Sequence, residues 1–281
     1  AIFLAIAGFF GLSFGVAITF VREALNKSVR SSEALRQLSN LPVISLVPYV
    51  AHKRRDRHWL QKEIRGNNQS LYMESIRSIR ARLFDAPSIG RPKVLMVTSC
   101  TAGEGKSMTC VALAHSLTRA SLSVVVVDAD LRRSVSAAET GVDPGGGCLV
   151  EYLIGNIGVD KIVHSLPDLG FDMVLPLRST SNAGDLIASR AFGALIRHLS
   201  ARYDVVLIDT APVLAVPDAL VISSKADAAL LLVQTNRATN AMVKAALQRL
   251  DDAGAVVVGT VLSQVRRKDA ISNEIYDYAN Y

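Results

Sequence analysis

The chain has 281 residues, 50% of them hydrophobic, a formal net charge of +6 and three cysteines. It is long enough to bury one large core as one or two domains, and its positive mean hydropathy points to more than a water-facing domain. Cys100, Cys110 and Cys148 have neither metal-ligand spacing nor a disulfide framework, which suits a reducing compartment, and the modest positive charge comes with no aromatic-rich basic groove for nucleic acid.

Residues 1–21, AIFLAIAGFFGLSFGVAITFV, hold no charge. As a helix they would extend about 31 Å, close to the ~30 Å of a bilayer's hydrocarbon core, so a transmembrane helix is expected there. A secretory signal would need a basic stretch before a shorter apolar run and a small-residue cleavage site. Arg22, Lys27, Arg30 and Arg36 follow as the positive flank typical of the cytoplasmic side. The remainder is thus expected in the cytoplasm, as the C-terminal part of a longer membrane protein. Gly11 and Gly15 have the spacing that lets two spans pack closely.

From 22 to 68 the pattern breaks up into a proline-bearing extended segment, SNLPVISLVPYV, and a basic run, HKRRDRH, and reads as a linker. Lys53, Arg54, Arg55 and Arg57 make either a solvated charge run or a contact with anionic lipid. A helix is predicted over 70–84, where Leu71, Ile76, Ile79 and Leu83 recur at helical spacing. Glu74, Arg77 and Arg80, three apart, lie along one side of it, where the simplest reading is an ion pair worth ~0.2–0.5 kcal/mol.

Val94 to Cys110 reads VLMVTSCTAGEGKSMTC, a strand-like run, a Gly-rich turn and Gly-Lys-Ser opening an apolar helical pattern. This is the form of a phosphate-binding loop. Gly103 and Gly105 let backbone N–H groups turn toward phosphate, Lys106 reaches the β- and γ-phosphates, and the Ser107 hydroxyl can ligate Mg²⁺. Ala102, Gly103, Glu104, Gly105, Lys106, Ser107 and Met108 are accordingly expected around a bound nucleotide. Cys100 stands where the full pattern has glycine; it reads as a packed small residue, with a redox-sensitive thiol as the alternative.

Beyond the loop, β-branched runs at 123–128, 204–209, 228–234 and 255–261 alternate with helical patterns such as 191–202 and 239–252. Near-continuous apolar runs suit parallel strands covered on both faces, so the fold class is α/β: a P-loop NTPase-like, doubly wound, mostly parallel sheet with ligand at the strand carboxyl ends. Two strands end in acid. VVVVDADLRR carries Asp128 and Asp130, and YDVVLIDTAP carries Asp209. Three carboxylates beside Lys106 can hold Mg²⁺ and orient a hydroxyl, as phosphoryl transfer requires.

These motifs, VTSCTAGEGKS, VVVVDADLRR, VVLIDTAPVL and VVVGTVLSQV, resemble in order those of the cytoplasmic domain of bacterial tyrosine kinases, the polysaccharide co-polymerases that control capsule and exopolysaccharide export. The resemblance extends to the span, to LPVISLVP as the proline-containing linker, and to Glu74-x-x-Arg77-x-x-Arg80 as the helix that joins subunits in a ring. It extends also to YDYANY, with Tyr276, Tyr278 and Tyr281, as the C-terminal tyrosine cluster. It divides the chain into a span at 1–21, a linker at 22–68, and a kinase domain at 69–281 with a tail from about 270.

What the resemblance implies is autophosphorylation of those tyrosines in a neighbouring subunit, with ATP and Mg²⁺, at the bacterial inner membrane. Lys106 would stabilise the transferring phosphoryl group, Asp128 would accept the tyrosine proton, and Ser107, Asp130 and Asp209 would hold the metal. Implied partners are the chain itself, the polysaccharide export machinery, the membrane and protein tyrosines; nucleic acid is not among them. Arg132 and Arg133 either support the site or are exposed. Ser134 stands where the family often has proline, and Ser263 where it often has asparagine at the adenine end. The competing readings are an ATP-binding scaffold of the export machine with little transfer activity and a partition-type ATPase, the latter disfavoured by the span and the tyrosines.

Overall fold

The computed structural model describes residues 28–51, 70–85, 90–132 and 147–266. The expected span at 1–21, Arg133, Ser134 and the tail with Tyr276, Tyr278 and Tyr281 lie outside the described residues, and among these no helix is long and apolar enough to cross a membrane.

Eight strands form one sheet: β1 (Val43–Pro48), β2 (Val94–Ser99), β3 (Val124–Asp128), β4 (Val163–Leu166), β5 (Phe171–Val174), β6 (Val205–Asp209), β7 (Ala228–Gln234) and β8 (Val257–Val265). Their order is β1-β8-β7-β2-β6-β3-β5-β4, and every neighbouring pair is parallel except β4 with β5. The expected doubly wound, mostly parallel sheet is therefore the observed one.

The apolar runs are explained by two cores, one on each face. Val94 and Met96, Val125 and Val127, Val206 and Ile208, and Leu231 and Val233 enter one core. Their neighbours Leu95 and Val97, Val124 and Val126, Val205 and Leu207, and Leu230 and Leu232 enter the other. Alternate side chains point to opposite faces, so a strand buried on both must be apolar at every position.

Eight α-helices occur among the described residues: α1 (Ser32–Ser39), α2 (Leu71–Arg80), α3 (Lys106–Thr118), α4 (Leu149–Leu153), α5 (Ala183–Ala188), α6 (Arg190–Arg202), α7 (Asp218–Ser223) and α8 (Asn240–Asp252). α2 and α3 cover one face; residues of α1, α4, α5, α6, α7 and α8 enter the core on the other.

α2 starts at Ser70, whose hydroxyl accepts from the Met73 N–H at 3.2 Å, and runs on into a π-helical turn, Ala81–Asp85. Tyr72, Met73, Ile76, Ile79 and Leu83 are buried beneath it. At ~1.5–3 kcal/mol for each such side chain, this face outweighs the exposed Glu74–Arg77 ion pair many times over. Arg80 leaves the expected polar row and reaches α3, donating from Nη1 to Ser116 O at 2.9 Å.

One region differs from expectation and another had none. The described part of the segment read as a linker, 28–51, is built into the domain: α1 packs on one core and β1 forms the sheet edge beside β8. Gly259 makes this possible, because a Cβ there would stand 2.5 Å from Ile44 Cγ1 and 3.0 Å from Pro42 O. The proline-flanked run looked like a linker because an edge strand pairs on one side only and so tolerates proline. The β4–β5 hairpin carried no expectation; its strands are four residues each, too short to establish a period.

Candidate functional site

β2 delivers the chain to the phosphate-type loop, and two glycines shape it. Gly103 and Gly105 have φ of +84° and +95°, where a side chain would be strained. Gly105 is the N-cap of α3 and supplies no side-chain cap, so the first-turn N–H groups of a 13-residue helix are presented at the loop mouth.

The loop is fastened from inside and from behind. Glu104 is fully buried and turns its carboxylate back onto the loop, accepting from the Cys100 N–H at 3.0 Å and the Thr101 hydroxyl at 2.8 Å. Of Glu104, only the backbone is left to face a ligand. From behind, the end of β8 grips two carbonyls: Ser263 Oγ donates to Glu104 O at 2.7 Å, and Gln264 Nε2 donates to Gly103 O at 2.5 Å. Gln264 itself has a φ of +56° and accepts from Gln234 Nε2 at 2.9 Å. Arg237 Nη1 donates to Gln234 Oε1 at 3.2 Å and lies 3.2 Å from where a Gly103 Cβ would be.

Sequence reasoning missed Gln264, Gln234 and Arg237, which are remote from the loop in the chain. It noted Ser263 only as a departure at the adenine end, whereas its hydroxyl is engaged by the loop. Cys100 is buried in the core, and burial followed by the nearby Glu104 charge pushes its thiol up, away from the reactive thiolate. Its place is that of the packed small residue.

The acidic residues arrive on neighbouring strands. Asp128 ends β3 and Asp209 ends β6, in direct register, each 3% exposed. Asp130, two residues on, donates its N–H to Asp128 Oδ1 at 3.0 Å. Burial and then the Asp209 charge push Asp128 well above the usual carboxylate range. Asp209 is raised to about 6, chiefly by burial, with the Lys106 ammonium and a hydrogen bond with Ser107 opposing the rise. Lys106, 8% exposed, thus lies close to the acidic pair, and Ser107 reaches Asp209. Strong shifts of this kind cluster where charge is handled.

Arg132 is held beside them. Its Nε and Nη2 donate to Asp218 Oδ2 and Oδ1 at 3.0 and 3.2 Å, and Asp218, at the start of α7, is buried. Asp218 carried no expectation, because it lies far along the chain from its partner.

Hard oxygen donors are what Mg²⁺ takes, and Ser107, Asp209 and Asp130 offer them. Asp209 Oδ1 is buried without a hydrogen-bond partner, an orphaned acceptor that a hydrated cation would satisfy, so these residues fit the ion. Among the described residues no three His, Cys, Asp or Glu side chains form a ready-made metal cage. Phosphate oxygens and water would complete the shell.

Comparison with known proteins agrees with this geometry. Residues 95–281 match the CobQ/CobB/MinD/ParA nucleotide binding domain. The tyrosine-protein kinase wzc of Salmonella typhimurium is 29% identical over 282 residues, covering 96% of this chain and 39% of that protein. A putative tyrosine-protein kinase in the cps region of Klebsiella pneumoniae is 27% identical over 278 residues, covering 95% of this chain and 38% of that protein. The chain therefore spans well under half the length of these curated relatives. The solved kinase domain of Escherichia coli tyrosine kinase ETK is 26% identical with a TM-score of 0.74, covering 83% of this chain and 94% of that one. The chain belongs to the CobQ/CobB/MinD/ParA nucleotide-binding family, and the relatives that it matches along nearly its whole length are bacterial tyrosine kinases.

Proposed function

We propose that this chain is the nucleotide-binding and catalytic part of a membrane-anchored protein-tyrosine kinase that phosphorylates Tyr276, Tyr278 and Tyr281 of a neighbouring copy and regulates capsular or exopolysaccharide export. The observation that carries this reading is the buried Asp128–Asp209 pair facing Lys106 and the loop, in a chain whose relatives are tyrosine kinases. Its substrates are ATP and a protein tyrosine.

The tyrosine Oη attacks the γ-phosphorus of ATP as the bond to the ADP oxygen breaks, and the phenolic proton passes to an Asp128 carboxylate oxygen. Asp128 accepts the proton in its ionised form, which burial and the Asp209 charge oppose and the neighbouring Lys106 ammonium favours. Lys106 and the first-turn N–H groups of α3 face the charge that spreads over the phosphoryl oxygens, and most of the rate comes from this positioning. Ser107, Asp209 and Asp130 would hold Mg²⁺, which when bound neutralises phosphate charge. Arg132, fixed by Asp218, keeps a cation beside Asp130.

Labelled ATP with Mg²⁺ tests the assignment. Label is expected on the tail peptide and should vanish in Lys106→Met. Bound nucleotide with an unlabelled tail would instead identify an ATP-binding scaffold of the export machine.

A further inference from the structure

Among the described tyrosines, Tyr72 and Tyr203 are buried and Tyr152 is half-buried, whereas Tyr49 is 43% exposed. It follows β1, whose carboxyl end lies on the same rim of the sheet as the nucleotide-type loop because β1, β8, β7 and β2 all run parallel. The backbone N–H of Tyr49 donates to Val265 O at 2.9 Å, next to Gln264, which grips the loop carbonyl of Gly103. The Arg266 guanidinium carbon stands 5.0 Å from the Tyr49 ring centroid. An exposed phenol with an arginine already over its ring is placed for a phosphate dianion, which arginine binds through paired hydrogen bonds.

We propose that Tyr49 is a further phosphorylation site, filled by another copy of the chain, and that Arg266 holds its phosphate at the root of the C-terminal tail. The proposal rests on the tyrosine-kinase reading above. The donor must be another copy, because β1 and β3 are five positions apart in the sheet order, about 24 Å at ~4.8 Å per strand, far beyond the reach of a tyrosine side chain. The Tyr49 Oη attacks the γ-phosphorus of ATP in that copy, the bond to ADP breaks, and the proton goes to that copy's base. The product carries about −1.5 to −2 charge beside Arg266, whose next residue begins the tail segment 267–281.

The test mixes a Lys106→Met chain as acceptor with an active Tyr49→Phe chain as donor, in MgATP, followed by tryptic mass spectrometry. The acceptor's peptide 37–53 contains Tyr49 as its one tyrosine, and peptide 269–281 contains the tail tyrosines. Phosphate at Tyr49 in 37–53 is the expected result. Phosphate on the tail with none at Tyr49 would overturn this proposal and leave the kinase reading standing; phosphate on neither would overturn both. With Arg266→Met added to the acceptor, a tyrosine phosphatase should clear the Tyr49 phosphate severalfold faster, and equal rates would remove Arg266 from the proposal.

Discussion

Asp128 and Asp209 are register partners at the carboxyl ends of β3 and β6, and Ala129 N donates to Asp209 O at 2.8 Å just beyond them. Two buried acids on adjacent strands are costly to ionise together. The folded Asp209 titrates at about 6, so between its ordinary value near 3.9 and that point the native protein holds a proton that the unfolded chain releases. The Asp209 contribution to the stability of the nucleotide-free protein therefore falls as pH rises through this window, and Asp128, raised in the same direction, adds a loss of the same sign. Asp209→Asn should stabilise the nucleotide-free protein at neutral pH by up to about 3 kcal/mol, with the difference from the parent gone by about pH 4. Urea denaturation of both proteins across this range checks it.

The Arg132–Asp218 pair is asymmetric: the side chain of Arg132 is 38% exposed and that of Asp218 0%. Losing the arginine strands a buried carboxylate, whereas losing the acid leaves a guanidinium that water can reach. Arg132→Ala should cost about 3 kcal/mol, and Asp218→Asn about 1 kcal/mol. Equal losses in denaturant titrations would mean that Asp218 has another partner in solution.

The β8 grip on the loop predicts a separation of binding from folding. Gln264→Ala removes the donor to Gly103 O on the exposed side and should weaken ATP binding severalfold with a stability change of no more than about 1 kcal/mol. Ser263→Ala leaves Glu104 O buried without its donor and should cost about 1–3 kcal/mol as well as affinity. Calorimetric ATP titration together with thermal melting distinguishes the two.

On α2, Glu74→Ala with Arg77→Ala removes an exposed ion pair and should change stability by at most about 0.5 kcal/mol. If this face joins subunits, sedimentation velocity will show reduced self-association in that double variant with nucleotide binding intact. Arg80→Ala should behave differently, losing about 1 kcal/mol because Arg80 also ties α2 to Ser116 of α3.

The central strands, the loop and its acids were legible because each is a local pattern. An apolar run such as VVVVD or VVLID must lie between two helical layers, and Gly-Glu-Gly-Lys-Ser after such a run has few other uses. The strand at 43–48 was legible only as an extended segment, since its partner β8 lies more than 200 residues away in sequence. Nothing near Gln264, Ser263 or Asp218 announces a contact with Gly103, Glu104 or Arg132; those contacts exist because the sheet order brings distant strand ends to one rim.

The sequence by itself determined the fold class, the phosphate-type loop and which carboxylates stand at strand ends, because periodicity and turn chemistry act over a few residues. Only the tertiary structure decided which of those acids become neighbours, how far burial raises their pKa values, that Glu104 turns inward to brace the loop, and that Cys100 is a core residue. Each of these depends on exclusion of water and on strand register, and both arise only when residues far apart in the chain are packed together.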